Sequence, residues 1–157
     1  MGKIKTLAGI TKIVAVSRKK NKKIIFTNGC FDLLHYGHIK YLQKCKGLGG
    51  ILIVGINSDR SVKKIKGPLR PLTRERDRSA ILAALECVDY VIFFNEATPE
   101  KVIKAIAPDI LAKGGDWQKS DIVGRDFVEK RGGRVFCIPF VKGYSTTRII
   151  EHIKKVF

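Results

Sequence analysis

Short, near-continuous apolar runs alternate with amphipathic helical patterns along almost the whole chain, and this alternation restricts the possible folds more than any other property of the sequence. The runs are Ile24–Thr27, Ile51–Ile56, Tyr90–Phe94, Ile110–Lys113 and Val135–Pro139. Between and after them lie helical patterns around 37–46, closed by Gly47, from about Arg74 to Cys87, near Pro99–Ala107, near 121–131, and from Thr146 to Val156. A strand covered on both faces loses the apolar–polar alternation of a half-exposed strand, and helical crossovers keep successive strands parallel. The expected fold is therefore α/β: a Rossmann-like parallel sheet of about five strands with helices on both faces. Residues 6–20 are weakly amphipathic and read as a leading helix within 1–22, at the edge of a core spanning 24–155. No repeat, low-complexity tract or linker divides residues 1–157, so a single domain is expected.

A chain of 157 residues buries a real core without disulfides or metal. Its 45% hydrophobic and 29% charged residues are those of a globular protein. No apolar run approaches membrane-spanning length and no signal-peptide core follows the lysine-rich start, so the expectation is a cytoplasmic protein with no membrane partner. Cys30, Cys45, Cys87 and Cys137 are scattered in apolar stretches without CxxC spacing, which points to neither a disulfide framework nor a protein-held metal. The net charge of +17 suits a phosphate-rich partner, either nucleic acid or a nucleotide. The dense run Arg18–Lys23 has no interleaved aromatics, and no groove-reading motif occurs, so it reads as solvated surface. A nucleic-acid-binding module is thus the weaker reading, and no nucleic-acid partner is expected.

In a doubly wound sheet the ligand lies over the carboxyl ends of the strands. Every motif here falls at such an end. The first apolar run leads through Asn28 and Gly29 into Cys30-Phe31-Asp32-Leu33-Leu34-His35-Tyr36-Gly37-His38, a tight turn at a helix start. Free backbone N–H groups and the positive end of the helix dipole suit a triphosphate there. His35 and His38, with Gly37 between them, can aim at one phosphoryl group and donate to charge developing on its oxygens. Asp32 either orients a ligand or caps the turn. Asn57-Ser58-Asp59 follows the second run, Lys113-Gly114-Gly115-Asp116-Trp117 the fourth, and Gly143-Tyr144-Ser145-Thr146-Thr147 the fifth. One crevice is expected to collect them all. The paired glycines allow close backbone approach to a flat ligand. Asp116 suits ribose hydroxyls or a magnesium-bound phosphate, and Trp117 either meets the ligand or packs. Ser145 and Thr146 precede the last helix, where capping and phosphate binding are compatible roles.

The string TNGCFDLLHYGH (27–38) resembles the signature of the HxGH nucleotidyltransferase superfamily, in its cytidylyltransferase-like branch. VGINSD (54–59), KGPLRPL (66–72), ALECVDYV (84–91), PDILAKGGDW (108–117) and GYSTTRII (143–150) narrow the resemblance to the heptose 1-phosphate adenylyltransferases, over residues 24–155. The resemblance implies transfer of AMP from ATP to D-glycero-β-D-manno-heptose 1-phosphate, with Mg2+ accompanying ATP, and ADP-heptose and pyrophosphate as products. It implies a free-standing form, since 157 residues leave no room for a sugar kinase domain, and a homodimer or higher homo-oligomer. His35, His38 and Lys66 take the catalytic roles, with Lys63 and Lys64 in the same loop as further phosphate contacts; lysine serves there as a mobile point charge. Asn28, Gly29, Phe31, Asp32, Gly37, Lys113, Gly115, Asp116, Tyr144, Ser145, Thr146 and Thr147 become nucleotide contacts. Asn57, Asp59, Arg78 and Trp117 become phosphate or acceptor contacts, although Arg78 also suits a helix-surface ion pair. FMN adenylyltransferases and glycerol-3-phosphate-type cytidylyltransferases share HxGH. Phe140 stands where the glycerol-phosphate branch has arginine and matches the heptose branch, whereas Tyr144 stands where that branch often has a small residue.

Overall fold

The computed structural model describes residues 2–115 and 121–156. Six strands form one parallel sheet: β1 (Ile4–Lys5), β2 (Ile24–Gly29), β3 (Ile51–Asn57), β4 (Tyr90–Phe94), β5 (Ile110–Gly114) and β6 (Arg134–Ile138), in the spatial order β1-β4-β3-β2-β5-β6. The sheet thus has one strand more than the sequence suggested. Ile4 and Lys5 pair with Val91 and Ile92, and two residues are too few to show a periodicity.

Side chains alternate across the sheet and sort the core into two layers. Ile24, Phe26, Ile53, Ile92 and Leu111 meet Ile10 and Val14 of α1 (Leu7–Lys19), Val102 and Ile103 of α5 (Glu100–Ile106), and Val128 of α6 (Arg125–Lys130). On the other face Ile25, Leu52, Val54 and Ala112 meet Leu42 and Cys45 of α2 (Tyr36–Gly47) and Leu82 of α4 (Glu75–Ala84). Each fully buried aliphatic side chain of this kind contributes about 1.5–3 kcal/mol of transfer free energy. α1 begins where Thr6 accepts a hydrogen bond from Gly9 N–H and ends on Arg18 and Lys19, which complement the carboxyl end of the helix dipole.

The segment carrying Lys63, Lys64 and Lys66 is a helix, α3 (Asp59–Lys66), where the sequence suggested a loop. Ser58 caps it by accepting from Ser61 N–H; Asp59 stands in the first turn and the lysines in the last, the favourable polarity for the dipole. Only Ser61 and Val62 of α3 are buried, so no apolar stripe announced it. α7 (Thr146–Val156) closes the chain.

β2 lies between β3 and β5, so the chain order reverses there. This is the switch point at which a crevice opens beyond the strand ends. Among the described residues no helix is long and apolar enough to cross a membrane.

Candidate active site

The turn after β2 is built around two ring contacts. Phe31 adopts φ +47°, and its ring folds back so closely that a Cβ on Gly29 would lie 3.0 Å from it. A larger residue there would have to push the Phe31 ring aside. Phe31 then leans on His38 with ring centroids 5.2 Å apart, and His38 stacks on His35 at 3.9 Å with 23° between the planes. A Cβ on Gly37 would stand 3.1 Å from the His35 ring and equally close to Cβ of Tyr144, which explains the glycine between the histidines. His35 occupies the N-cap position of α2 but makes no side-chain capping bond, so its imidazole is not spent on the helix.

Burial lowers the pKa of both imidazoles. His38 is pushed down to about 4, first by loss of water and then by the charges of His35 and Lys66. Both rings are therefore neutral near pH 7. Nδ1 of each is sealed from solvent without a protein partner. Lys66, at the end of α3, lines the same cavity, as expected for the preferred lysine of its segment.

The cavity, about 370 Å³, lies between this turn and the chain after β6. Its far wall is Gly114, Phe140, Val141 and the stretch Tyr144–Thr147. The ring of Phe140 lies flat against the two glycines: a Cβ on Gly115, whose φ is +106°, would come within 2.6 Å of it, and one on Gly114 within 2.9 Å. Ser145 Oγ accepts from Arg148 N–H at 3.1 Å and so caps α7, while Thr146 Oγ1 donates to the Leu33 carbonyl at 3.4 Å, joining α7 to the histidine turn. Helix starts thus face the cavity from two sides.

Asn28, Gly29, Phe31, Gly37, His35, His38, Lys66, Tyr144, Ser145, Thr146 and Thr147 are brought together as expected. Several others are not. Asp32 lines the cavity, but one of its carboxylate oxygens accepts from Leu72 N–H and Thr73 N–H; the other lies 2.7 Å from Arg70 Nε as a charge contact rather than an aligned hydrogen bond. It thereby pins residues 70–73 beside the cavity. Arg78 is fully buried and donates to the carbonyls of Thr73 and Cys30 and to Asp59 Oδ1 at 2.7 Å, so neither Arg78 nor Asp59 contacts the cavity. Asn57 donates to Ser61 Oγ and anchors α3. Lys63 and Lys64 are exposed and do not line the cavity; Lys64, two residues from Lys66, stands on the opposite side of α3, whereas Lys63 shares the side of Lys66.

Lys113 faces away from this cavity. It shares the strand parity of Leu111 and lies on the α5 side of the sheet, where it donates to Asn28 Oδ1 at 2.6 Å. It lines a separate cavity of about 310 Å³ with Asn57. Gly115 stands at the first cavity's edge against Phe140. Asp116 and Trp117 lie outside the described residues. Sequence reasoning passed over Tyr41, whose hydroxyl is 2.6 Å from Thr27 Oγ1 and which stands one helical turn beyond His38 in the cavity wall. That i, i+3 spacing was the available signal. Cys30 and Val141 gave none.

A parallel sheet with paired histidines at the start of α2, over its switch point, defines the nucleotidyltransferase type of α/β protein. The chain belongs to the cytidylyltransferase-like family, whose model matches residues 26–152. It is 58% identical over 151 residues to the bifunctional protein HldE of Citrifermentans bemidjiense, covering 96% of this chain and 31% of that protein. The chain therefore spans about a third of the length of the curated relatives it matches. A lipopolysaccharide core biosynthesis protein from Thermoplasma volcanium has a solved structure that superposes with a TM-score of 0.63 at 30% identity, covering 79% of this chain and 99% of that one. Pantoate-beta-alanine ligase from Francisella tularensis superposes equally well, TM-score 0.63, over 98% of this chain and 77% of that one; at 17% identity it shows the fold alone.

Proposed function

We propose that this chain is an adenylyltransferase that moves AMP from ATP to D-glycero-β-D-manno-heptose 1-phosphate. The observation that carries the reading is the stacked, neutral pair His35 and His38 facing Lys66 and the start of α7 across one cavity. With Nδ1 of each ring sealed, Nε2 is the nitrogen left to meet a phosphate oxygen. A neutral imidazole donates a hydrogen bond without becoming an ion, so the pair steadies charge growing at the α-phosphate and takes no proton. A sugar-phosphate oxygen attacks the α-phosphorus, the bond to the bridging oxygen breaks, and pyrophosphate leaves with the electron pair. The attacking phosphate is already ionised, so no general base is needed; positioning and charge do the rest. Ser145, Thr146 and the α7 start suit the departing phosphates.

Among the described residues no group of three or more His, Cys, Asp or Glu is arranged to hold a metal. Asp32, the carboxylate that lines the cavity among the described residues, is paired with Arg70. In this reading the magnesium ion arrives on the triphosphate. The acceptor assignment is supported by the KGGDW and GYSTT segments, by Phe140 against Gly114 and Gly115, and by 58% identity to a bifunctional HldE. A pyrophosphate-release screen crossing ATP, CTP and GTP with heptose 1-phosphate, glycerol 3-phosphate and FMN tests it. Turnover is expected with ATP and heptose 1-phosphate; turnover only with CTP and glycerol 3-phosphate would overturn it.

A further inference from the structure

Two cavities open at the same strand ends, one on each face of the sheet. The first, on the α2 side, holds the histidine pair; the second, on the α5 side, is lined by Lys113, Asn57, Ile65, Thr98 and Pro99. Asn28, Gly29 and Cys30 belong to both and form their common wall. Strand parity separates the contents: on β5, Lys113 points to the α5 side and Gly114 to the α2 side. Lys113 is partly buried, and its one recorded bond goes to a neutral amide, Asn28 Oδ1, at 2.6 Å. Among the described residues no carboxylate lies within ion-pair distance of it. The cavity's carboxylate, Asp121, is solvent-exposed. Burial alone pushes the Lys113 ammonium down to about 8, so at pH 7 it still carries its charge. A partly desolvated cation with no counter-ion among the described residues is costly in the empty protein, and an anion entering its cavity offsets that cost.

The attacking oxygen must reach the α-phosphorus from the side opposite the departing pyrophosphate. With the triphosphate running from the histidine turn toward α7, that side is the wall shared by residues 28–30. We propose that the α5-side cavity receives the acceptor, and that Lys113 binds the acceptor's phosphate rather than the nucleotide. Asn28 then acts as a positioning residue, holding the ammonium at the wall between the two substrates.

This inference rests on the nucleotidyl-transfer reading, and its test separates the two. In Lys113→Met, which keeps the stem and removes the charge, KM for the sugar phosphate rises at least 10-fold while KM for ATP stays within 2-fold. In protein saturated with a non-hydrolysable ATP analogue, inorganic phosphate titrated by calorimetry binds the wild type at least 10-fold more tightly than the variant. Removing the Lys113 charge leaves the melting temperature unchanged or raised; a merely structural Lys113 would lower it. Lys113→Gln serves the same measurements if the Met variant fails to fold. Equal losses for ATP and acceptor, or phosphate binding unchanged in a folded variant, overturn the assignment. Absence of turnover with every sugar phosphate overturns the proposed reaction instead, and the calorimetric arm still decides the role of Lys113.

Discussion

His38 is held neutral, and that state can be tested from both ends of its titration. Replacing it with Ala removes one positioned donor, so kcat should fall about 10²–10³-fold, about 2.7–4 kcal/mol in the barrier. KM for ATP should change little, since the loss belongs to the transition state; full activity in the variant would end the mechanism. The folded pKa of about 4 lies below the ordinary 6.5, so folding disfavours the charged ring. The destabilisation is absent above pH 6.5, grows as pH falls, and is complete below about 4. Thermal unfolding between pH 7 and 4 should therefore show a melting temperature that declines more steeply in the wild type than in His38→Gln. Lys113 responds at the other end of the pH range. Its folded pKa of about 8 implies that its charge is lost between pH 7 and 9, where a sugar phosphate no longer titrates. KM for the acceptor should rise across that interval in the wild type and stay flat in Lys113→Met. The other ionisable groups lining that cavity are Cys30, whose thiol is pushed up by burial, and Asp121.

α3 and α4 are tied to the histidine turn by one buried guanidinium. Arg78 is 0% exposed and joins α4 to the Cys30 carbonyl and to Asp59 at the start of α3, while Asp59 N–H donates to Glu75. Asp59→Asn leaves that cation without its carboxylate and should cost about 3 kcal/mol in urea unfolding, at the low end for a broken buried pair because Asp59 is partly exposed. A loss below about 0.5 kcal/mol, the ordinary range for a surface change, would show the pair to be dispensable. The same cluster shows where sequence reasoning stops. Strands β2 to β6 were legible because burial on both faces leaves unbroken apolar runs, and α2 and α7 because each follows a turn motif. The histidine pair, Lys66 and Ser145–Thr147 were legible because strand-end position in a doubly wound sheet dictates convergence. The polar residues Asp32, Asn57, Asp59 and Arg78 carry bonds within the protein: Arg78 and Asp59 pair with each other outside the cavity, while Asp32 and Asn57 each line a cavity as well. Their partners lie 4 to 48 positions away in the chain, and sequence shows that a polar group sits near a site without showing which neighbour satisfies it. Lys113 differs: its face follows from the two-residue period of β5, which the run Ile110–Gly114 already contained.

The molecule as a whole is unevenly secured, and the nucleotide cavity spans that difference. One wall is the β2 turn, backed by Phe26 and Ile25 in the fully buried centre of the sheet; the other is the start of α7, a helix in which no residue is buried. Packing of apolar faces supplies most helical stability, so α7 is the element that opens most readily. Its ties to the turn are the Thr146 hydrogen bond to Leu33 and the contact of Tyr144 with Tyr36 at 5.0 Å. A triphosphate that engages Ser145, Thr146 and the histidines at once bonds the loose wall to the firm one. Binding to the closed form alone stabilises that form by mass action. Hydrogen exchange should accordingly find amides 147–152 among the fastest of any helix in the free protein, and a saturating non-hydrolysable ATP analogue should slow them at least 10-fold. Amides of the buried strands β2 and β3 should exchange only through global opening and so gain no more than the overall shift in stability. Equal slowing everywhere would mean that the nucleotide adds no local tie at α7, and no slowing in 147–152 would remove Ser145–Thr147 from the binding site. The Ser145→Ala variant refines the outcome, because it removes the hydroxyl that caps Arg148 N–H and should raise exchange in the first turn of α7 before any nucleotide is added.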